Sequence, residues 1–337
     1  MALDSDSYDY IHFNETHSSE TEYDIKISEL YYPAAVNSLV FCISLPANSF
    51  LLWVLWTEQA WKITSDILLL QLTVSNLCLT VTLPFAACNA LHGWVFGEWA
   101  CGVGVGIYFL GLFTAVVILT AMSLHSYVTV VQPWCLSAQA LTKYGVLIGS
   151  IVMWLVCAAA SIKLAVSCRV IEFADIKVCV NLVESLTMKL TEIYTQIFLF
   201  FLIPVLITSF CYVHMWIMAK QGRINSQQQP SKLILGITVS TFLCLAPSSI
   251  HMFIQSLLLL DFYEYTHELI YALHYAWLII HPIIDIYCCF IPLVHLIGVQ
   301  RFRRYLPMPC NTLSLCRNET KTDSPMALIP LQNAEEI

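Results

Sequence analysis

His274, His281 and Asp285 fall at i, i+7 and i+11 of one apolar stretch, so on a helix they share a single stripe. A carboxylate in a membrane-spanning setting is costly to hold and marks a functional site by default. Two further readings of the trio stand beside that one. Asp285 pairs with His281 at i+4, and each group then satisfies the other. Alternatively the set binds zinc and activates water, as in a seven-helix membrane hydrolase. That needs more ligands on other helices, and Asp66, Asn76, His125 and His214 show no spacing that supplies them. The hydrolase is kept as a distant alternative, and no metal or other cofactor is expected. No internal repeat or broken helix pair supports a transporter.

The elements that position these groups follow from composition. The chain has 337 residues, 58% hydrophobic and 11% charged, which excludes a soluble domain. Crossing a bilayer takes roughly 20 mostly apolar residues, and seven stretches qualify, at about 33–57, 66–91, 98–131, 144–166, 191–219, 232–260 and 268–295. Tyr31, Tyr32, Trp56, Trp61, Trp94 and Trp99 mark their ends, as interfacial belts do. The expected fold is an all-α membrane protein, a seven-transmembrane-helix bundle over 33–297. A short amphipathic membrane-surface helix follows at 298–306, with a cytosolic tail at 307–337.

Lys62, Lys143, Lys220, Arg223, Lys232, Arg301, Arg303, Arg304, Arg317 and Lys321 gather on one side of the seven spans. Lys26, Arg169, Lys177 and Lys189 lie on the other, with Lys163 near that end of its helix. The positive-inside bias places residue 1 outside and the C-terminus in the cytosol. Residues 1–30 are acidic and polar, unlike a cleavable signal peptide, so the first span is expected to direct insertion. Residues 1–32 read as a disordered acidic tail. Asp4, Asp6, Asp9, Glu15, Glu20, Glu22, Asp24 and Glu29 stand there against Lys26, a field that suits capture of a basic partner rather than nucleic acid. Tyr8, Tyr10 and Tyr23 sit beside acidic residues, a context for sulfation, and Asn14-Glu15-Thr16 is an N-glycosylation sequon on the outer side.

Most of the 14 cysteines lie within helices, where free Cys behaves as a small apolar residue. Cys101 opens the third span at its outer end, and Cys179 lies midway along an outer loop, 167–190, that reads as a short β-hairpin. A Cys101–Cys179 bridge is the natural pairing in an oxidising compartment, with Cys168 as the rival partner. Cys310 and Cys316 follow the basic run at 301–306 and are candidates for palmitoylation at the lipid surface.

These residues together resemble the rhodopsin-like G-protein-coupled receptors, and within them the chemokine-receptor branch. Thr82-Leu83-Pro84-Phe85 is similar to the branch's second-helix motif, and Trp94-Val95-Phe96-Gly97 to its first outer loop. Asn48, Trp154, Pro204, Tyr212 and Pro247 fall at family landmarks, and Tyr108 at a common pocket position. Cys288-Cys289 and Phe302-Arg303-Arg304-Tyr305-Leu306 resemble the end of the last span and the surface helix after it. The resemblance implies a ligand site formed by the tail tyrosines, Trp94, Tyr108, His281 and Asp285. In that register His281 stands where the family often has a Glu for the ligand's amine, and Asp285, one turn deeper, supplies the anion instead.

The departures are equally orderly. Where the family has Asp-Arg-Tyr, this chain has His125-Ser126-Tyr127. The acid that helps bind sodium is Asn76, the family's Trp ahead of Pro247 is Leu245, and Asn-Pro-x-x-Tyr becomes Ile291-Pro292-Leu293-Val294-His295. Serine offers neither the charge nor the five-donor fork of arginine. The bridge that chemokine receptors carry from N-terminus to seventh helix is missing, since 1–32 and 261–270 hold no Cys. The implied function is an atypical receptor that binds a basic chemokine, or a related chemoattractant peptide, and internalises or presents it with little G-protein coupling. Thr312, Ser314, Thr320, Thr322 and Ser324 offer phosphorylation sites for arrestin. A signalling receptor with altered switch motifs is the alternative.

Overall fold

The computed structural model describes residues 3–4, 19–131, 143–173, 176–183, 185–223, 232–262, 266–298, 302 and 305. Seven helical segments in it are long and apolar enough to cross a membrane. They are α1 (Ser19–Thr57), the pair α2 (Thr64–Thr80) and α3 (Leu83–His92), α4 (Gly97–Val131), α5 (Lys143–Ser167), the pair α6 (Leu186–Ile197) and α7 (Ile203–Lys220), α8 (Lys232–Leu259) and α9 (His267–Gly298). Between α5 and α6, β2 (Cys168–Phe173) and β3 (Ile176–Asn181) pair antiparallel, with Cys168 opposite Asn181. The expected hairpin is therefore present.

Three boundaries depart from the sequence reading. The sequence reading begins the first span at residue 33, yet α1 begins at Ser19. Hydropathy cannot see such an extension, because Glu20, Glu22 and Asp24 are polar yet suit the positive end of a helix dipole. Residues Leu3–Asp4 also form a strand, β1, parallel to β3, with Leu3 opposite Val180. The second span breaks at Val81–Thr82, because Pro84 has no N–H for the carbonyl of Thr80. The Thr82 hydroxyl donates to Leu79 O at 2.7 Å, beside the break. In the fifth span, Phe198–Leu202 form one π-helical turn just ahead of Pro204.

α4 is the central helix, packed against α2, α5, α7 and α8, while α1 and α9 close the other side. Gly111 allows the tightest of these approaches: a Cβ there would sit 2.6 Å from Ser75 O and 2.9 Å from Leu79 N of α2. The main core runs through Leu51, Leu72, Leu79, Ile118, Leu119 and Ile291. Phe302 is fully buried in it, and the Tyr305 hydroxyl donates to Glu58 at the end of α1. The rest of the expected surface helix lies outside the described residues. By contrast α5 turns Leu147, Ile148, Ile151, Val152, Leu155 and Val156 outward, a face that only lipid suits.

Between α1, α2 and α9 lies a buried polar knot with a traceable cause. Pro292, inside α9, has no N–H to offer the carbonyl four residues earlier, Cys288 O. Asn48 of α1 supplies the donor instead, its Nδ2 at 3.1 Å from Cys288 O and 2.9 Å from Ser44 O. Ser44 Oγ lies 2.7 Å from Thr80 Oγ1, and the Tyr287 hydroxyl donates to Asn76 Oδ1 at 2.7 Å. Asn76 closes the chain by donating to Asn48 Oδ1 at 3.5 Å. Asn48→Ala removes the nearer donor to Cys288 O and leaves it only the Ser44 hydroxyl at 3.5 Å, so thermal unfolding of the detergent-solubilised protein should show a loss of roughly 1–3 kcal/mol. Tyr287→Phe should cost less, and an unchanged midpoint for Asn48→Ala would contradict this assignment.

Candidate functional site

The hairpin is fixed to α4 by the Cys101–Cys179 disulfide, with Cα atoms 5.7 Å apart. The rival Cys168 is a free, buried thiol that donates to Leu164 O at 3.2 Å, and burial pushes it up to about 11. Gly93 brings the loop before α4 under the hairpin. Its φ of +72° suits glycine, and a Cβ there would meet Ile176 Cγ2 at 2.5 Å and Lys177 O at 2.7 Å. Trp94 follows, its backbone N–H donating to Lys177 O at 2.6 Å and its indole to Gly97 O at 2.8 Å. Expected as a ligand contact, Trp94 is 3% exposed and packed with the disulfide. It braces the hairpin and leaves almost no ring surface for a ligand.

Seven residues below Cys101 on α4, roughly 10 Å along a helix axis, Tyr108 meets α9. Its hydroxyl donates to Asp285 Oδ1 at 3.1 Å. His281 Nδ1 lies 3.5 Å from Asp285 Oδ2, close enough for an ion pair, but Oδ2 receives no properly aimed hydrogen bond. Tyr108 stacks on His281 with ring centroids 5.6 Å apart, and Asp285 is fully buried. Two of the three expected residues on the α9 stripe thus come together with Tyr108. His274 does not join them and lies against Tyr275.

Two neighbours escaped the sequence reading. Trp277 meets His281 edge-on at 4.9 Å, and His251 of α8 lies 5.5 Å from Trp277, so an aromatic and imidazole ladder runs from α4 through α9 to α8. Trp277 was accessible in principle, being four residues before His281. His251 was not, because only the packing of α8 on α9 places it. No group of three His, Cys, Asp or Glu side chains suited to a metal occurs among the described residues. Of the remaining candidates, Tyr8, Tyr10, Asn14, Cys310 and Cys316 lie outside the described residues, and Tyr23 falls within α1.

At the opposite end of the bundle lie the altered motif residues, of which Ser126 is half-buried. Ser126 Oγ donates to Met122 O at 2.8 Å on its own helix. The Tyr127 hydroxyl lies 3.1 Å from His214 Nδ1 on α7, and Phe210 stacks on that imidazole at 5.8 Å. His125 is half-buried. Leu245, two residues before the helix-internal Pro247, is buried, as are Ile291 and His295, whose Nδ1 donates to Ile291 O at 2.9 Å.

Residues 47–294 match the family described as 7 transmembrane receptor (rhodopsin family), and the chain belongs to that family. It is similar to human chemokine XC receptor 1, 29% identical over 83% of this chain and 81% of the relative. It is likewise similar to C-C chemokine receptor type 8 of Macaca mulatta, at 27% over 80% and 76% of the two chains. Atypical chemokine receptor 2 of Mus musculus is 28% identical over 80% and 72%. This is a family of receptors, so the hydrolase reading of the His and Asp stripe is set aside.

The bridge makes a specific prediction. Cys101→Ser and Cys179→Ser should each lower surface expression, and the double substitution should lower it no further, while Cys168→Ser should leave it intact. Surface staining of an N-terminally tagged chain measures this, and additive losses would point to a different pairing.

Proposed function

We propose that this protein is an atypical chemokine receptor of the plasma membrane, its N-terminus outside, that binds a basic chemokine or chemoattractant peptide and carries it inward or presents it with little or no G-protein signalling. The observation that carries the reading is Ser126. An incoming G protein needs a cation at the end of the third span once the sixth swings away. The Ser126 hydroxyl is instead bonded to Met122 O, 2.8 Å away on its own helix. Tyr127 is tied to α7 through His214, Leu245 and Ile291 are buried apolar side chains, and the His295 imidazole is bonded back to Ile291 O on its own helix. Coupling energies between sites are typically about 1–3 kcal/mol, so losing several such contacts abolishes the response.

Ligand capture rests on two features. The acidic residues of 1–30 attract a basic partner over roughly the 8 Å Debye length of physiological salt. Buried Asp285, with one oxygen engaged by Tyr108 and the other poorly paired, offers an anion to the amine of an entering peptide. A phosphorylated C-terminal tail then recruits arrestin for uptake. A signalling receptor is the second reading, favoured by the retained Tyr127 and by similarity to the XC and C-C receptors.

In cells expressing the chain, a panel of labelled chemokines should yield one that is internalised without G-protein dissociation in the same cells. Ser126→Arg alone should restore little, because the positions on α8 and α9 remain altered; robust ligand-driven dissociation by the unaltered chain would promote the signalling reading. Orientation has its own test. A tag before residue 10 should stain intact cells and one after residue 320 should need permeabilisation, and the reverse pattern would overturn the topology.

A further inference from the structure

Glu192 stands in α6, in the half of the fifth span nearest the hairpin, and is only 4% exposed. Its Oε2 accepts a hydrogen bond from the side-chain amide of Asn181, the last residue of β3, at 3.0 Å. Its Oε1 is buried and has no hydrogen-bond partner among the described residues, and the same is true of Asn181 Oδ1. Two acceptors on the two members of one hydrogen bond are thus closed off from solvent without a donor. Such an arrangement is unfavourable for a carboxylate unless something positive arrives. Arg169 is already engaged: it pairs with Glu98 at 3.8 Å, and its Nη1 donates to Val166 O and Cys168 O.

We infer that Glu192 and Asn181 form a second cation site of the ligand cleft, which takes an arginine or lysine side chain of the bound peptide. This rests on the receptor reading above and deepens it. A guanidinium suits the pair best, because its planar fork presents several N–H donors at once to Glu192 Oε1 and Asn181 Oδ1. The placement also sets the spacing of the ligand's charges. Asn181 lies two residues beyond Cys179, which is bonded to Cys101 at the head of α4, whereas Asp285 meets Tyr108 seven residues further down that helix. Seven helical residues span about 10 Å, the length of roughly three residues of extended peptide. Separation across the bundle adds to this depth, so a peptide whose terminal amine reaches Asp285 presents to Glu192 a basic side chain no fewer than about three residues along.

Glu192→Gln is the decisive variant, since it keeps an acceptor for the Asn181 amide and the same shape but removes the charge. The probe is the labelled chemokine that the uptake panel selects, together with versions in which each Lys or Arg near its N-terminus is replaced singly by Ala. Binding is measured on intact cells and normalised to the surface tag. Glu192→Gln should weaken binding roughly tenfold or more. One ligand substitution should produce the same loss on the unaltered chain and no further loss on Glu192→Gln, and Glu192→Lys should regain affinity for the ligand carrying Glu at that position. Unchanged affinity of Glu192→Gln, or equal losses with every ligand variant, would overturn the inference and leave the receptor reading standing. If no chemokine binds the unaltered chain, the receptor reading falls and this inference with it.

Discussion

One backbone carbonyl organises the middle of this molecule. Pro292 denies Cys288 O its helical donor, and a carbonyl buried in a membrane-spanning bundle must be satisfied by some other group. Asn48 does so, and its remaining bonds reach Ser44 and Asn76, so α1, α2 and α9 meet at a single buried knot. Tyr287 completes it by donating to Asn76. Asparagine and tyrosine are neutral, so the knot holds without a charge at its centre. The contact of α2 with α4, made close by Gly111, transmits that fixed geometry to the helix that carries both Tyr108 and Ser126.

The two ends of α4 then differ in character. Near the hairpin, the disulfide, Trp94 and Gly93 form a rigid rim, and the groups beneath it are buried acids with incomplete partners: Asp285 beside His281, and Glu192 beside Asn181. Incompletely paired carboxylates are costly unless a ligand uses them. At the far end the altered motif residues and Tyr127 are bonded within the chain, Ser126 on Met122, Tyr127 on His214 and His295 on Ile291, while the Tyr212 hydroxyl beside them is buried without a partner among the described residues.

Much of this was legible in the sequence, for identifiable reasons. Hydropathy locates all seven spans because lipid demands uninterrupted apolar length, and the i+4 spacing alone brings His281 to Asp285. Tyr108 was marked by the resemblance, which places a pocket residue seven positions after Cys101. The extension of α1 to Ser19 was not marked, since polar residues compatible with a helix leave no hydropathic trace. Nor were Glu192, Asn181 and His251, whose partners lie on other elements and depend on how helices rotate against each other. Trp94 belongs to a motif visible in the sequence, while the bond of its indole N–H to Gly97 O is visible only in the structure. The identity of Ser126 is visible in the sequence, while the direction of its hydroxyl is visible only in the structure.

The central claim is that occupancy of the hairpin end leaves the far end of the bundle unmoved. Thr129 on α4 and Leu235 on α8 are both exposed near that far end and accept spin labels without disturbing the core. The most direct measurement is the distance distribution between labels at these two positions, by pulsed electron paramagnetic resonance on the purified protein, before and after saturation with a bound chemokine. The account predicts superimposable distributions. A ligand-driven shift of several ångströms toward longer distances, in the sense of α8 swinging away from α4, would contradict it.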